Sequence, residues 1–220
     1  MYKRPPGPKA RRVLAEDRRW VSPSYTRSYP FVMARGRGVA VEDVDGNRYL
    51  DFTAGVAVAC TGHSHPRVVR AVREQAGRLL HMCGTDFYYE LQSRLARRLV
   101  GLLSPTGRGK VFLSNSGTEA VEAAMKLARW KTRRPRFLAF LGGFHGRTFG
   151  ALSLTASKAV QRAGFAPLLP EASHVPYAYC YRCPYSLTHP SCNLHCVRVI
   201  EDELFRKSFP AEEVAAIVVE

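Results

Sequence analysis

At 220 residues with 46% hydrophobic side chains, the chain has a globular composition and is long enough for one full domain, or for one domain and part of another. Its 33 basic against 18 acidic residues give a formal charge of +15, which permits contact with nucleic acid or an acidic membrane surface. The arginines, however, fall in amphipathic stretches such as 67–78 and 94–98, where a solvated helix face accounts for them, and no recognition-helix pattern or interleaved aromatic and basic strand appears.

Residues 1–14 are basic and Pro-rich without the apolar core of a secretory signal, and no apolar run approaches a membrane span. A soluble cytoplasmic protein is expected, with neither membrane nor nucleic acid as partner. Up to about Pro30 the chain reads as an irregular arm. Val39 to Phe52 then alternates apolar and polar residues on both sides of Asp45-Gly46, a strong hairpin signal. From Pro66, apolar residues through Leu80 recur at helical spacing, and Leu91, Leu95, Leu99 and Leu102 mark a second helix. After a glycine loop at 107–109, a strand is predicted at 111–113, a sharp turn at 114–117, a helix over about 118–131 and a strand at 137–141. That order is a βαβ unit and implies a parallel sheet covered by helices. Residues 215–219 form a continuous apolar run of the kind a doubly covered parallel strand shows. Because nothing follows to continue or cover that strand, the chain is expected to be incomplete at its C-terminus.

Two glycine-containing turns carry the chemistry. In Ser114-Asn115-Ser116-Gly117-Thr118-Glu119-Ala120 a strand end, a turn and a helix start coincide, and Ser116 and Glu119 have capping-box spacing. A helix N-terminus offers unpaired N–H groups and the positive end of the dipole, and Gly117 allows close approach, so a phosphate suits this turn; an ordinary capped helix explains the same residues. Gly142-Gly143-Phe144-His145-Gly146-Arg147-Thr148 follows the next strand and should gather at the same carboxyl edge, where open α/β sheets bind ligands. It offers an aromatic plane in Phe144, a titratable ring in His145 and a carboxylate fork in Arg147. Together the turns favour a flat anionic ligand. Neither has the spacing of a P-loop, which argues against a nucleoside triphosphate.

The run Ser114 to Lys126 together with Gly143 to Thr148 resembles the class III aminotransferases, a family that includes acetylornithine, ornithine and 4-aminobutyrate aminotransferases. Asp45 to Phe52, Gly55-Val56-Ala57-Val58 and Gly62-His63-Ser64-His65-Pro66 resemble that family's opening, so the likeness runs in family order from about Gly38 to Glu220. The resemblance implies an α/β fold of the pyridoxal-phosphate-dependent transferase fold type I. Residues 1–65 would be the arm and hairpin of a small α+β domain, and 66–220 a partial large domain with a mainly parallel sheet. It further implies pyridoxal phosphate as cofactor, with Ser116, Gly117 and Thr118 at its phosphate, Phe144 stacked on its ring and His145 beside the ring. Arg147 would receive a substrate carboxylate. Val56 would line the substrate pocket near a dimer interface, although plain packing explains that residue equally well.

Family chemistry runs through a Schiff-base lysine and an aspartate at the ring nitrogen, both expected beyond Glu220, since Lys110, Lys126, Lys131, Lys158 and Lys207 do not match the catalytic position. The resemblance therefore implies a transaminase moving an amino group from an amino acid or ω-amino acid to a 2-oxo acid, homodimeric when whole and inactive as this piece alone. An amino-acid racemase on the same scaffold stays open. A different class of reading, a basic and zinc-stapled module for an anionic partner such as nucleic acid, is motivated by the charge and by Cys180-x2-Cys183-x8-Cys192-x3-Cys196. Four thiolates at that spacing are compatible with a tetrahedral zinc site. Reduced loop cysteines are the favoured reading of the cluster, with a disulfide staple as a third option for a hyperthermophilic source.

Overall fold

The computed structural model describes residues 4–169 and 171–220, which divide into two compact units, Met1–Glu90 and Leu91–Glu220. In the first unit, helix α1 (Pro8–Trp20) takes the first part of the irregular arm expected from the sequence, and residues 21–30 are irregular as expected. Its Ala, Leu, Glu and Arg residues are good helix formers, and Pro8 sits in the first turn, where its missing N–H costs nothing. The decisive element is remote in sequence: the Asp45 carboxylate accepts hydrogen bonds from the Lys9 and Ala10 N–H groups, at 3.0 and 3.1 Å, and so caps the helix. Strands β1 (Met33–Arg37), β2 (Ala40–Asp43) and β3 (Arg48–Leu50) form an antiparallel sheet in that order, with the predicted hairpin at its β2–β3 turn.

Asp43, 4% exposed, organises that turn by accepting from the N–H groups of Asp45 and Asn47, the Asn47 amide and the Tyr49 hydroxyl. Burial would raise its carboxyl, but hydrogen bonds from Asn47, Tyr49 and Asp45 outweigh it and hold the group below its ordinary value. A short element, α2 (Ala54–Ala57), follows β3 with all four residues at positive φ, from 49° to 68°. Asp51 holds it: one carboxylate oxygen accepts from the Thr53 hydroxyl and from the N–H groups of Thr53 and Ala54, and the other pairs with His63 Nε2 at 2.6 Å. The His63 bond first, and the Thr53 bonds next, hold the Asp51 carboxyl far below the usual carboxylate range. Helix α3 (Pro66–Ala76) starts at the predicted proline and ends at Gly77, so Leu79 and Leu80 lie past it.

Helix α4 (Glu90–Leu103) leads into the second unit, followed by α5 (Gly117–Thr132), β4 (Arg136–Phe140), α6 (Phe149–Leu154), β5 (Ala172–Val175), α7 (His195–Val199) and β6 (Val214–Ile217). The sheet order is β5-β4-β6, with both pairings parallel, so the fold is α/β with a parallel sheet. One detail differs from expectation. Residues 111–113 form no strand, because none of the described residues supplies a ladder partner, and Phe112 remains 73% exposed. The strand expected at 215–219 is present as β6, parallel to β4 and at an edge of the described sheet, with Ile217 53% exposed.

Central β4 is buried at its middle three residues: Phe137, Leu138 and Ala139 are successive core residues, as a parallel strand covered on both faces requires. Phe137 and Ala139 pack with Met125 of α5 and Leu154 of α6. At the amino end of the sheet Arg136 pairs with Glu213 at 2.6 Å and with Glu171, drawing in the residues that precede β6 and β5. Half-buried His174 on β5 donates from Nε2 to the Leu154 carbonyl at 3.0 Å, which fixes the proton on that nitrogen. Burial holds its pKa below the ordinary value, with Arg162 and His145 acting in the same direction. The folded state therefore disfavours imidazolium. Stability from this group is present above the unfolded pKa of about 6.5 and is lost as pH falls through the lower folded value. A His174→Gln variant, whose amide can still donate to Leu154, should lose less thermal stability between about pH 7 and about pH 5 than the parent. Parallel losses in both proteins would remove His174 as the cause.

Candidate functional site

The two glycine turns meet at the carboxyl edge of the parallel sheet. The first opens α5: Ser116 is its N-cap, extended in backbone, with its hydroxyl accepting from Glu119 N–H at 3.3 Å. Glu119 reaches back to the Asn115 N–H at 2.7 Å, one residue further than a standard capping box. Gly117 and Thr118 are the first two residues of this helix, and their N–H groups have no carbonyl one turn behind to bond. The second turn leaves the end of β4. It is pinned by Gly142 N–H to Ala156 O, by Ala156 N–H to Gly143 O and by His145 N–H to the hydroxyl of fully buried Thr155 at 2.9 Å.

Side chains knit the turns together. The Thr118 and Thr148 hydroxyls are 2.8 Å apart, and Thr148 donates to Glu122 at 2.5 Å. Glu122, one helical turn after Thr118, also accepts from Ala151 N–H at 3.1 Å and so ties α5 to the start of α6. Gly146, at φ +132°, lies where the turns touch; a Cβ there would be 2.7 Å from Thr118 Cβ and 2.9 Å from Ala151 Cβ. A third segment joins from the end of β6, where the Glu220 carboxylate accepts from Phe144 N–H.

The result is an open cleft of about 720 Å³ lined by Gly117, Thr118, Val121, the run 144–148, Val219 and Glu220. Of the residues singled out from sequence, Gly117, Thr118, Phe144, His145 and Arg147 share this cleft, whereas Ser116 acts behind it as the helix cap. Val56 belongs to the first unit, in the left-handed element α2, and is 91% exposed. Sequence reasoning passed over Thr148, Glu122 and Thr155, which hold the turns in register. Glu122 and Thr148 stood inside the quoted motifs, but Thr155 gave no local signal because its partners come from a loop ten residues away.

Three observations bear on what the cleft accepts. The leading N–H groups of a 16-residue helix present positive potential to one wall. The Phe144 ring is 40% exposed at the cleft, leaving apolar area for a flat partner. His145 Nε2 is buried and has no hydrogen-bond partner among the described residues, a polar atom that a ligand group would satisfy. No lysine is among the residues lining the cleft.

The cysteine cluster has a different character. All six cysteines are free, and among the described residues no group of three or more His, Cys, Asp or Glu side chains is arranged to hold a metal ion. The four-thiolate zinc site at Cys180, Cys183, Cys192 and Cys196 thus has no support: suitable sequence spacing did not bring the donors into one coordination sphere. No helix among the described residues is long and apolar enough to cross a membrane.

Known proteins resemble this chain over most of its length. An alanine/serine racemase of Pyrococcus horikoshii is 36% identical over 99% of this chain and 47% of its own length. The acetylornithine aminotransferase of Methanopyrus kandleri is 51% identical over 70% of this chain and 39% of its own. A solved taurine:2-oxoglutarate aminotransferase from Bifidobacterium kashiwanohense, in complex with PLP and glutamate, superposes with a TM-score of 0.82 at 26% identity, covering 96% of this chain and 48% of that one. The chain therefore spans about half or less of the length of these relatives, and its fold is that of the fold type I transaminases. Nothing in these matches supports a nucleic-acid-binding module. Residues 21–220 match the class-III aminotransferase family, and the chain belongs to it.

Proposed function

We propose that this chain supplies the phosphate and ring-stacking walls of a pyridoxal-phosphate site in a transaminase that moves an amino group from an amino acid or ω-amino acid to a 2-oxo acid. The observation that carries the reading is the convergence of the α5 N-terminus and the 144–148 turn on one cleft at the carboxyl edge of the sheet. The residues suit the cofactor. Gly117 and Thr118 N–H groups, with the Thr118 hydroxyl, would hold its phosphate; Ser116 orients them through the cap; Phe144 would lie against the ring; His145, with its orphaned Nε2, would hydrogen-bond beside it. When bound, the cofactor supplies an electron sink for bonds at the amino-bearing carbon.

This chain's part is to bind and orient. Thr148 donates its one hydroxyl proton to Glu122, so Thr118 donates to Thr148; this chain fixes the position of the Thr118 oxygen, and a bound phosphate would draw the Thr118 proton away from Thr148. Arg147, exposed at the cleft, is suited to pair with a substrate carboxylate through its planar fork. The Schiff-base lysine and the ring-nitrogen aspartate are assigned to the part of the relatives' length that this chain does not span. Residues 1–65 are assigned to a small domain and 66–220 to the large one, in a cytoplasmic homodimer, with Val56 at the substrate pocket.

The test is a pyridoxal phosphate titration of the native protein, followed by absorbance. Thr118→Ala should weaken binding about 10- to 100-fold, the loss of one charge-assisted hydrogen bond of roughly 1.5–3 kcal/mol. A native protein that does not bind the cofactor sinks the proposal. The racemase relative motivates a second reading, amino-acid racemisation, which would appear as inversion of a chiral amino acid without any 2-oxo acid acceptor.

A further inference from the structure

Cys180, Cys183, Cys192 and Cys196 take no part in the cleft, yet they border one small cavity of about 20 Å³ together with Tyr185 and His195. The surrounding segment, 176–194, has no strand or α-helix and is built of successive tight turns, among them Cys180–Arg182 and the turn closed by Ser186 N–H to Cys183 O. A ring contact joins its middle to α7: Tyr185 meets His195, the first residue of that helix, edge-on at 4.7 Å and 89°. Cys183 precedes Tyr185 by two residues and Cys196 directly follows His195, so the contact brings these two thiols to the same cavity from opposite ends of the loop. Both are half-buried, as is Cys192, whereas Cys180 is exposed; Cys192 lacks a neighbour in the Tyr185–His195 contact. Burial raises the Tyr185 phenol above its ordinary value, and Cys196 and Cys183 act in the same direction.

We propose that Cys183 and Cys196 are a redox modification site, a dithiol that closes to a disulfide across the 183–196 loop when it meets a low-molecular-weight disulfide. The step balances as thiol–disulfide exchange. One cysteine thiolate attacks a sulfur of the small disulfide, forming a mixed disulfide and expelling one small thiolate. The second cysteine thiolate then attacks the protein sulfur of that mixed disulfide, forming the Cys183–Cys196 bond and expelling the other small thiolate. The protein dithiol loses two electrons and its two protons, and the small disulfide gains them as two thiols. Intramolecular closure is favoured because the ring contact keeps both thiols at one cavity, which raises the effective concentration of the second over any thiol in solution.

The native protein, fully reduced, would be equilibrated with glutathione and glutathione disulfide at graded ratios, quenched in acid, alkylated and mapped by non-reducing mass spectrometry. The expected result is a linked peptide pair joining Cys183 to Cys196, two hydrogens lighter than its reduced parts and lost on reduction. It should form at ratios where Cys60 and Cys83, both exposed, stay alkylated or carry only glutathione. Cys183→Ser should leave Cys196 alkylated or glutathionylated, with no linked pair. Alkylation of all four loop cysteines at every ratio would overturn the proposal. So would a dominant link through any other cysteine, or loop thiols shielded by stoichiometric metal on elemental analysis.

Discussion

Gly146→Ala is expected to lower stability by roughly 3 kcal/mol and to weaken pyridoxal phosphate binding about 100-fold in the native protein. Two costs combine. At φ +132° a side chain is strained whatever the space around it, and the new methyl would press on Thr118 and on Ala151 Cβ at once. Because Thr118 is both the proposed phosphate contact and the partner of Thr148, any relief of that clash moves the two walls of the cleft apart. Gly142→Ala is the control. It also has positive φ, +97°, but a Cβ there meets nothing within 4 Å, so it should carry strain alone, about 1–2 kcal/mol, and leave cofactor affinity near that of the parent. Chemical denaturation and cofactor titration of both variants decide the matter. Equal effects at the two glycines would mean that the Thr118 contact does not govern the site.

Phe137→Ala should cost about 3–5 kcal/mol, a large share of the stability of an ordinary domain. Phe137 is 1% exposed on the central strand and packs with Met125 and Leu154, so it joins the sheet to α5 and α6, the two helices that frame the cleft. Its ring also lies under the Arg129 guanidinium, 5.1 Å from the centroid, a contact that truncation removes. The cavity left behind can close only if β4 or a helix moves, and β4 is hydrogen-bonded on both sides. Phe137→Leu, which keeps most of the volume, should retain most of the stability. A urea midpoint for Phe137→Ala within experimental error of the parent would show that this strand is not the core's anchor.

Much of the site was legible because its signals are local. A cap residue, a glycine and a helix start are adjacent in Ser116-Gly117-Thr118, and the physics of an N-terminus needs only those neighbours. The run 142–148 was legible for the same reason, since glycines after an apolar strand announce a tight loop at a sheet edge. The misjudged segments depended on remote partners. Helix α1 was hidden because its cap, Asp45, lies 35 or 36 residues from the N–H groups it holds. Residues 111–113 are apolar enough for a buried strand, but a strand exists only where a second chain segment takes up its hydrogen bonds, as β4 does for β6.

The sequence by itself determined the family and the parallel α/β pattern, and five of the seven residues it singled out line the cleft, because these rest on motif order and on periodicities set by backbone geometry. Tertiary structure alone decided that Thr118, Thr148 and Glu122 form one hydrogen-bonded chain, that Thr155 anchors the second turn and that Cys183 and Cys196 border a common cavity. Hydrogen bonds and packing act over a few ångströms in space, and folding brings within that range residues that the chain keeps 10 to 36 positions apart.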